Sequence, residues 1–168
     1  VKQAIQSFVH GVNTTSRWGG QSPFTNITLD VICPKHIATE PVIIGGQLTE
    51  DVYGDFQKEM DMFNKAFLEV MHKGDSQGRI FSFPIPTYNV TKDFPWQSEI
   101  GALILKITAK YGIPYFQNFI NSDLNPEDVR SMCCRLQMDL RDLRKRTGGQ
   151  FGAGDLTGSV GVVTLNLP

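Results

Sequence analysis

Cys133 and Cys134 stand side by side, and Arg135 follows at once. A thiol in such a place can serve as nucleophile, redox partner or hydrogen donor. The cations at Arg130 and Arg135 favour its thiolate form, which speeds thiol exchange. Adjacent cysteines seldom bond to each other, because the geometry strains the peptide between them. With Cys33 the chain holds three cysteines, an odd number. A disulfide framework is therefore not expected, and a reducing, cytoplasmic setting fits better.

Other candidate groups carry weaker signals. The glycines at 148, 149, 152, 154, 158 and 161 invite a phosphate-loop reading, but no Gly-Lys-Ser/Thr follows, so a Walker loop is excluded. A hinge is the better reading. His10, His36 and His72 are too scattered for a metal site, and Cys33 with His36 supplies only two ligands. Cys33 reads as a loop or core residue. Asn13, Asn26 and Asn89 open Asn-X-Thr sequons that would go unused in the cytoplasm.

The elements that must position these groups follow from pattern. Residues 24–31 alternate and are rich in Thr, Ile and Val, as a strand is. Pro34, Pro41 and Gly45-Gly46 punctuate a loop after it. Thr49 then serves as N-cap of a helix of about six turns, carrying Val52, Phe56, Met60, Phe63, Phe67, Val70 and Met71 on one face and closed by Gly74. Residues 80–90 form a second strand, which Pro84 and Pro86 should bend or confine to a sheet edge. A helix over 97–111 follows, ended by Gly112 and Pro114, then short strands over 115–120 and 161–167.

By periodicity alone, residues 125–146 form a helix with Asn125 as cap and Pro126 in its first turn. Its apolar stripe would hold Val129, Met132, Cys133, Leu136, Leu140 and Leu143, making Cys133 a core residue and Cys134 half-exposed. The whole rhythm of strand and helix is that of βαβ units around a parallel sheet.

The bulk numbers exclude several classes. The chain has 168 residues, 40% hydrophobic and 20% charged, as a water-soluble domain has. Sixteen basic residues against 17 acidic ones leave no electrostatic footprint for nucleic acid. The basic run over 141–146 is interrupted by Asp142 and reads as a solvated helix face. No run of about eighteen apolar residues spans a membrane. The absence of an initiator Met and the stop after an apolar strand lead to the expectation of an internal segment of a longer protein.

Three segments together carry a resemblance: Ser16-Arg-Trp-Gly-Gly-Gln-Ser-Pro-Phe-Thr-Asn26, the Cys-Cys-Arg run, and the glycine-rich stretch into Gly161-Val-Val-Thr-Leu-Asn-Leu-Pro168. They resemble the middle of the catalytic barrel of anaerobic (class III) ribonucleoside-triphosphate reductases, which are glycyl radical enzymes. The resemblance runs over nearly the whole chain. It implies one partial segment of a ten-stranded α/β barrel over 1–168, with a finger loop near 125–150 replacing the helix. It implies that Cys134, before Arg135, carries a thiyl radical. Cys133 is then a redox partner, a gate or a packing residue.

The resemblance also implies roles upstream. Gln21 stands where many family members have a cysteine used with formate, and Gly158-Ser159-Val160 stands where formate users carry an Asn. Both departures point to a thioredoxin- or glutaredoxin-like reductant instead of formate. Gln21, Ser22, Asn118 and Ser159 become candidate substrate-binding residues. The family further implies ribonucleoside triphosphate substrates, deoxyribonucleotide products, and a homodimer at full length. Its glycyl radical is installed by an activase using S-adenosylmethionine and an iron–sulfur cluster. The glycyl loop, a zinc site and most of the effector region fall outside this chain. Two rivals are a pyruvate formate-lyase-like enzyme and a non-catalytic piece active only with a complementing partner. The isolated chain is expected to be inactive.

Overall fold

The computed structural model describes residues 1–15 and 19–123 and, beyond them, two strands at 129–132 and 136–139. The chain divides into two units, Val1–Asp123 and Leu124–Pro168.

The first unit is α/β. Its order is α1 (Lys2–Asn13), β1 (Asn26–Leu29), α2 (Lys35–Ala38), β2 (Pro41–Ile44), β3 (Gln47–Val52), a 3-10 turn (Tyr53–Phe56), α3 (Gln57–Lys73), β4 (Ile85–Val90), α4 (Glu99–Tyr111) and β5 (Tyr115–Asn118). The strands β1, β4 and β5 form a parallel sheet in the order β1-β4-β5. The helices α3 and α4 lie in the two crossovers, as parallel connections require.

One core holds the unit together. It joins Ile5 and Val9 of α1, Phe67, Leu68 and Met71 of α3, and Ile100, Ile104 and Ile107 of α4 to Leu29, Tyr88 and Val90 of the sheet. The three helices therefore share one face of the sheet. Their ends follow local chemistry. Ser98 caps α4 by accepting from the Gly101 N–H at 3.0 Å, and Gly112, with φ of 70°, closes it. Gly74 ends α3 with φ of 75°, and a Cβ there would stand 2.4 Å from the Arg79 carbonyl oxygen, so no other residue fits.

Several expectations are corrected. Thr49 is no helix cap: it lies in β3, which pairs antiparallel with β2. Gly45 and Gly46 both have positive φ, giving the tight turn that a two-residue hairpin needs. The Thr49 hydroxyl donates across that hairpin to the Val42 carbonyl at 2.9 Å. The helix begins only at Gln57.

The strand with the prolines is central, not at an edge. The Ile85 N–H donates to Thr25 O at 2.8 Å, so the next nitrogen, that of Pro86, points to the other side, toward β5. Since β5 pairs only from Thr87 onward, Pro86 forfeits no ladder bond.

In the second unit, Val129–Met132 (β6) and Leu136–Asp139 (β7) pair antiparallel where periodicity alone gave a helix. Met132 and Leu136 are direct partners. Cys133, Cys134 and Arg135, which join the two strands in sequence, lie outside the described residues, as do the expected strand over 161–167, the glycine-rich stretch and residues 16–18.

Candidate functional site: the polar face of the sheet

The sheet has two unlike faces. On the helix side stand Leu29, Tyr88 and Val90, all buried. Side chains alternate along a strand, so Thr28, Thr87 and Asn89 belong to the other face. Parallel register aligns them in rows. Thr28 pairs with Thr87 and Thr87 with Tyr115; Leu29 pairs with Tyr88, and Asn89 with Gln117. Asp30 follows Leu29 directly, and its carboxylate accepts from Asn89 Nδ2 at 3.0 Å. One row therefore reads Asp30, Asn89, Gln117, at the carboxyl ends of the strands. Open parallel sheets bind ligands at those ends.

A parallel sheet covered on both faces is apolar on both. Here one face carries hydroxyls, amides and a carboxylate, and part of it is nonetheless out of water. Thr87 is 7% exposed and Gln117 4%. Asn89 Oδ1 and Gln117 Nε2 are both buried and have no hydrogen-bond partner among the described residues. The two residues are neighbours in register, yet these atoms are not bonded to each other. One is an acceptor, the other a donor. A buried polar atom left unpaired costs about 1–3 kcal/mol, so the pair needs a physical reason.

The end of β1 is held rigidly from the helix side. Asn64 of α3 is 1% exposed and donates to the Asp30 carbonyl at 3.0 Å, while its Oδ1 accepts from the Tyr88 hydroxyl at 2.8 Å. Burial pushes the Tyr88 hydroxyl far above the ordinary tyrosine range, so it remains a donor. Gln57 spans the next step: it donates to the Val31 carbonyl at 2.8 Å and accepts from the Cys33 N–H at 3.2 Å. Cys33 is half-buried, and burial, followed by the Asp30 carboxylate, raises its thiol above the usual value. It stays a neutral thiol, consistent with a loop residue and not a reactive one.

The candidates named from sequence are placed apart. Ser22 donates to the Asn13 carbonyl at 3.0 Å, and Asn13 in turn holds Phe83, just before β4. Ser22 thus sits at the amino-terminal end of the sheet, with the exposed Gln21 beside it in the chain. Asn118 ends β5 at the opposite end, stands beside Val90 in register, and accepts from the Ile120 N–H at 2.9 Å. Cys133, Cys134 and Ser159 lie outside the described residues. Asn89 and Gln117 were missed: Asn89 read only as a sequon, and their meeting requires strand register.

Two cavities elsewhere are poorer candidates. One of about 380 Å³ lies between α3 and α4, where Lys65 pairs with Glu99 and Gln57 with Asp61. The other flanks α1, where Arg79 and Asp75 hold each other. In each, an ion pair between lining residues is already formed.

The polar face thus sits in a chain whose residues 1–168, all of them, match the family model described as anaerobic ribonucleoside-triphosphate reductase. The chain belongs to the anaerobic ribonucleoside-triphosphate reductase family. Curated proteins give no match. Reductases of this family generally use a glycyl radical and act on nucleotides together with an activase. Among the described residues no cluster of three or more His, Cys, Asp or Glu could hold a metal. No described helix is long and apolar enough to cross a membrane.

Proposed function

We propose that this chain is a segment of the catalytic barrel of an anaerobic reductase that converts ribonucleoside triphosphates to deoxyribonucleotides, with Cys134 as the thiyl site. The family match over all 168 residues carries the reading. Two further features support it. A parallel sheet with helices on one face and polar groups on the other is what one arc of a ten-stranded barrel requires. Strands β6 and β7, paired up to Met132 and Leu136, leave only Cys133, Cys134 and Arg135 to join them, as a finger loop near 125–150 requires.

In this reading Cys134 would hold the thiyl, and a glycyl radical carried outside the segment would supply the means of taking its hydrogen atom. The sulfur then takes hydrogen from the ribose 3′-carbon: an S–H bond forms and a C–H bond breaks. The 2′-hydroxyl takes one proton from a dithiol and leaves as water, the dithiol's second hydrogen goes to the 2′-carbon, and the dithiol closes to a disulfide, having supplied two electrons. The thiol hydrogen finally returns to the 3′-carbon. Holding sulfur and sugar in register, away from water, is the protein's share.

Gln21 and Ser159 in place of the formate-linked residues favour a thioredoxin- or glutaredoxin-like reductant, with Cys133 or an outside cysteine completing the dithiol. The reductase works as a homodimer in the cytoplasm and is charged by an activase with S-adenosylmethionine and an iron–sulfur cluster. A zinc site belongs to its C-terminal region. The 168-residue chain alone has no turnover.

The test is Cys134→Ser in the activated reductase that contains this segment. All measurable nucleotide reduction should vanish while nucleotide binding persists. Retained turnover would sink the assignment, and so would turnover by the 168-residue chain alone.

A further inference from the structure

The sheet's polar face holds a buried acceptor and a buried donor with no partner among the described residues, Asn89 Oδ1 and Gln117 Nε2, on two residues that are neighbours in register. We infer that this pair is a hydroxyl-reading subsite, in which one hydroxyl of a bound nucleotide's ribose donates to Asn89 Oδ1 and accepts from Gln117 Nε2. The inference rests on the functional reading above for the identity of the ligand, but not for the existence of the subsite.

Three observations converge. The first is the missing partner. Gln117 is 4% exposed, so water does not freely solvate its amide, and its register neighbour Asn89 likewise has an atom without a partner among the described residues. The second is complementarity. A hydroxyl is both donor and acceptor, and one such group satisfies both residues. Adjacent strands stand about 4.8 Å apart, and one oxygen making two hydrogen bonds of about 2.8 Å spans about that distance. The third is rigidity. Asn89 Nδ2 is fixed on Asp30, and the Asp30 carbonyl is fixed by Asn64, which Tyr88 holds from behind. The amide is therefore anchored by its nitrogen with its oxygen left over.

A purely structural polar pair would look different. Asn89 and Gln117 face each other across the β4–β5 ladder and could close an amide–amide bond, which they do not. The Asp30 carboxylate beside them adds negative charge, which favours a neutral hydroxyl over a phosphate at this point.

The test uses the unactivated reductase containing this segment, so that no radical chemistry intervenes. Equilibrium binding is measured for a ribonucleoside triphosphate and its 2′,3′-dideoxy analogue, in the parent and in Asn89→Leu and Gln117→Met. In the parent, the ribonucleotide should bind about tenfold more tightly than the dideoxy analogue. Each variant should lose that discrimination and bind the dideoxy analogue as before, and Gln117→Met should melt no lower than the parent. The last point follows because replacing an unpaired buried amide with an apolar side chain of similar size relieves desolvation.

Equal affinity of the parent for ribo and dideoxy nucleotides would overturn the inference, leaving the pair to a trapped water. A preference that follows the base and not the sugar would overturn it too, as would full discrimination retained by both variants. The parent comparison needs no variant to fold. Loss of activity in Cys134→Ser with discrimination intact separates the two proposals; discrimination with an active Cys134→Ser would remove the radical assignment alone.

Discussion

The helix-facing and outward-facing sides of one three-stranded sheet share the same backbone and the same register, yet they spend their side chains differently. On the helix side every polar group found is matched: the Tyr88 hydroxyl meets Asn64, and Asn64 meets two carbonyls. On the other side, two residues from the same strands leave an acceptor and a donor without partners among the described residues. The contrast separates residues that hold the sheet from residues that the sheet holds in place. Stability at one face is what allows incomplete bonding at the other.

The largest effect should come from the helix side. Phe67 is fully buried among α1, α3 and the sheet, so Phe67→Ala should cost about 3–5 kcal/mol in denaturant unfolding. A loss below about 1 kcal/mol would mean that the helices do not form the core described. Next comes Tyr88→Phe, which strips the buried Asn64 oxygen of its hydroxyl donor and should cost about 1–3 kcal/mol. Its partner experiment is Gln117→Met, which should cost nothing. Equal losses from the two would erase the distinction between the faces.

The smallest effect is one of pH. His72 packs against Tyr111 at the end of α3, where burial, then the charges of Lys110 and Lys106, lower its pKa from the ordinary 6.5. The unfolded chain therefore takes up the proton first as pH falls. Stability is fully present above 6.5 and declines as pH drops through that value toward the lower folded pKa. His72→Gln should flatten this slope in midpoints measured between pH 5 and 8, without changing nucleotide binding. An unchanged slope would show that the imidazole is no more desolvated in the fold than outside it.

Much of the fold was legible because its signals are local. The end of α3 at Gly74, the end of α4 at Gly112 and the alternation around β1 each depend on a few consecutive residues. Errors arose where pairing overrode local preference. Thr49 is a good cap by type, but Gly45-Gly46 folds β2 onto β3 and claims its hydroxyl for the hairpin. Pro86 is unwelcome in a central strand unless its nitrogen points where no neighbour has begun, which depends on where β5 starts.

Between Leu136 and Asp139 apolar and polar residues alternate, but a helical stripe of leucines and cysteines overshadows that short run. The polar row of Asp30, Asn89 and Gln117 was the least legible. Its members lie 59 and 28 positions apart, and only register makes them neighbours.

Asn13, at the end of the first helix, has a reach beyond its own neighbourhood. Its side-chain amide accepts from the Phe83 N–H and donates to the Phe83 carbonyl, meeting the backbone just before β4 much as a neighbouring strand would. It is a single-residue splint that sets the phase of the strand following Phe83. A slip of one position there would swing Tyr88 out of the core and turn Asn89 inward, since facing alternates with every residue. The first helix packs into the core on the sheet's other side, yet it fixes which side of β4 the polar face will be.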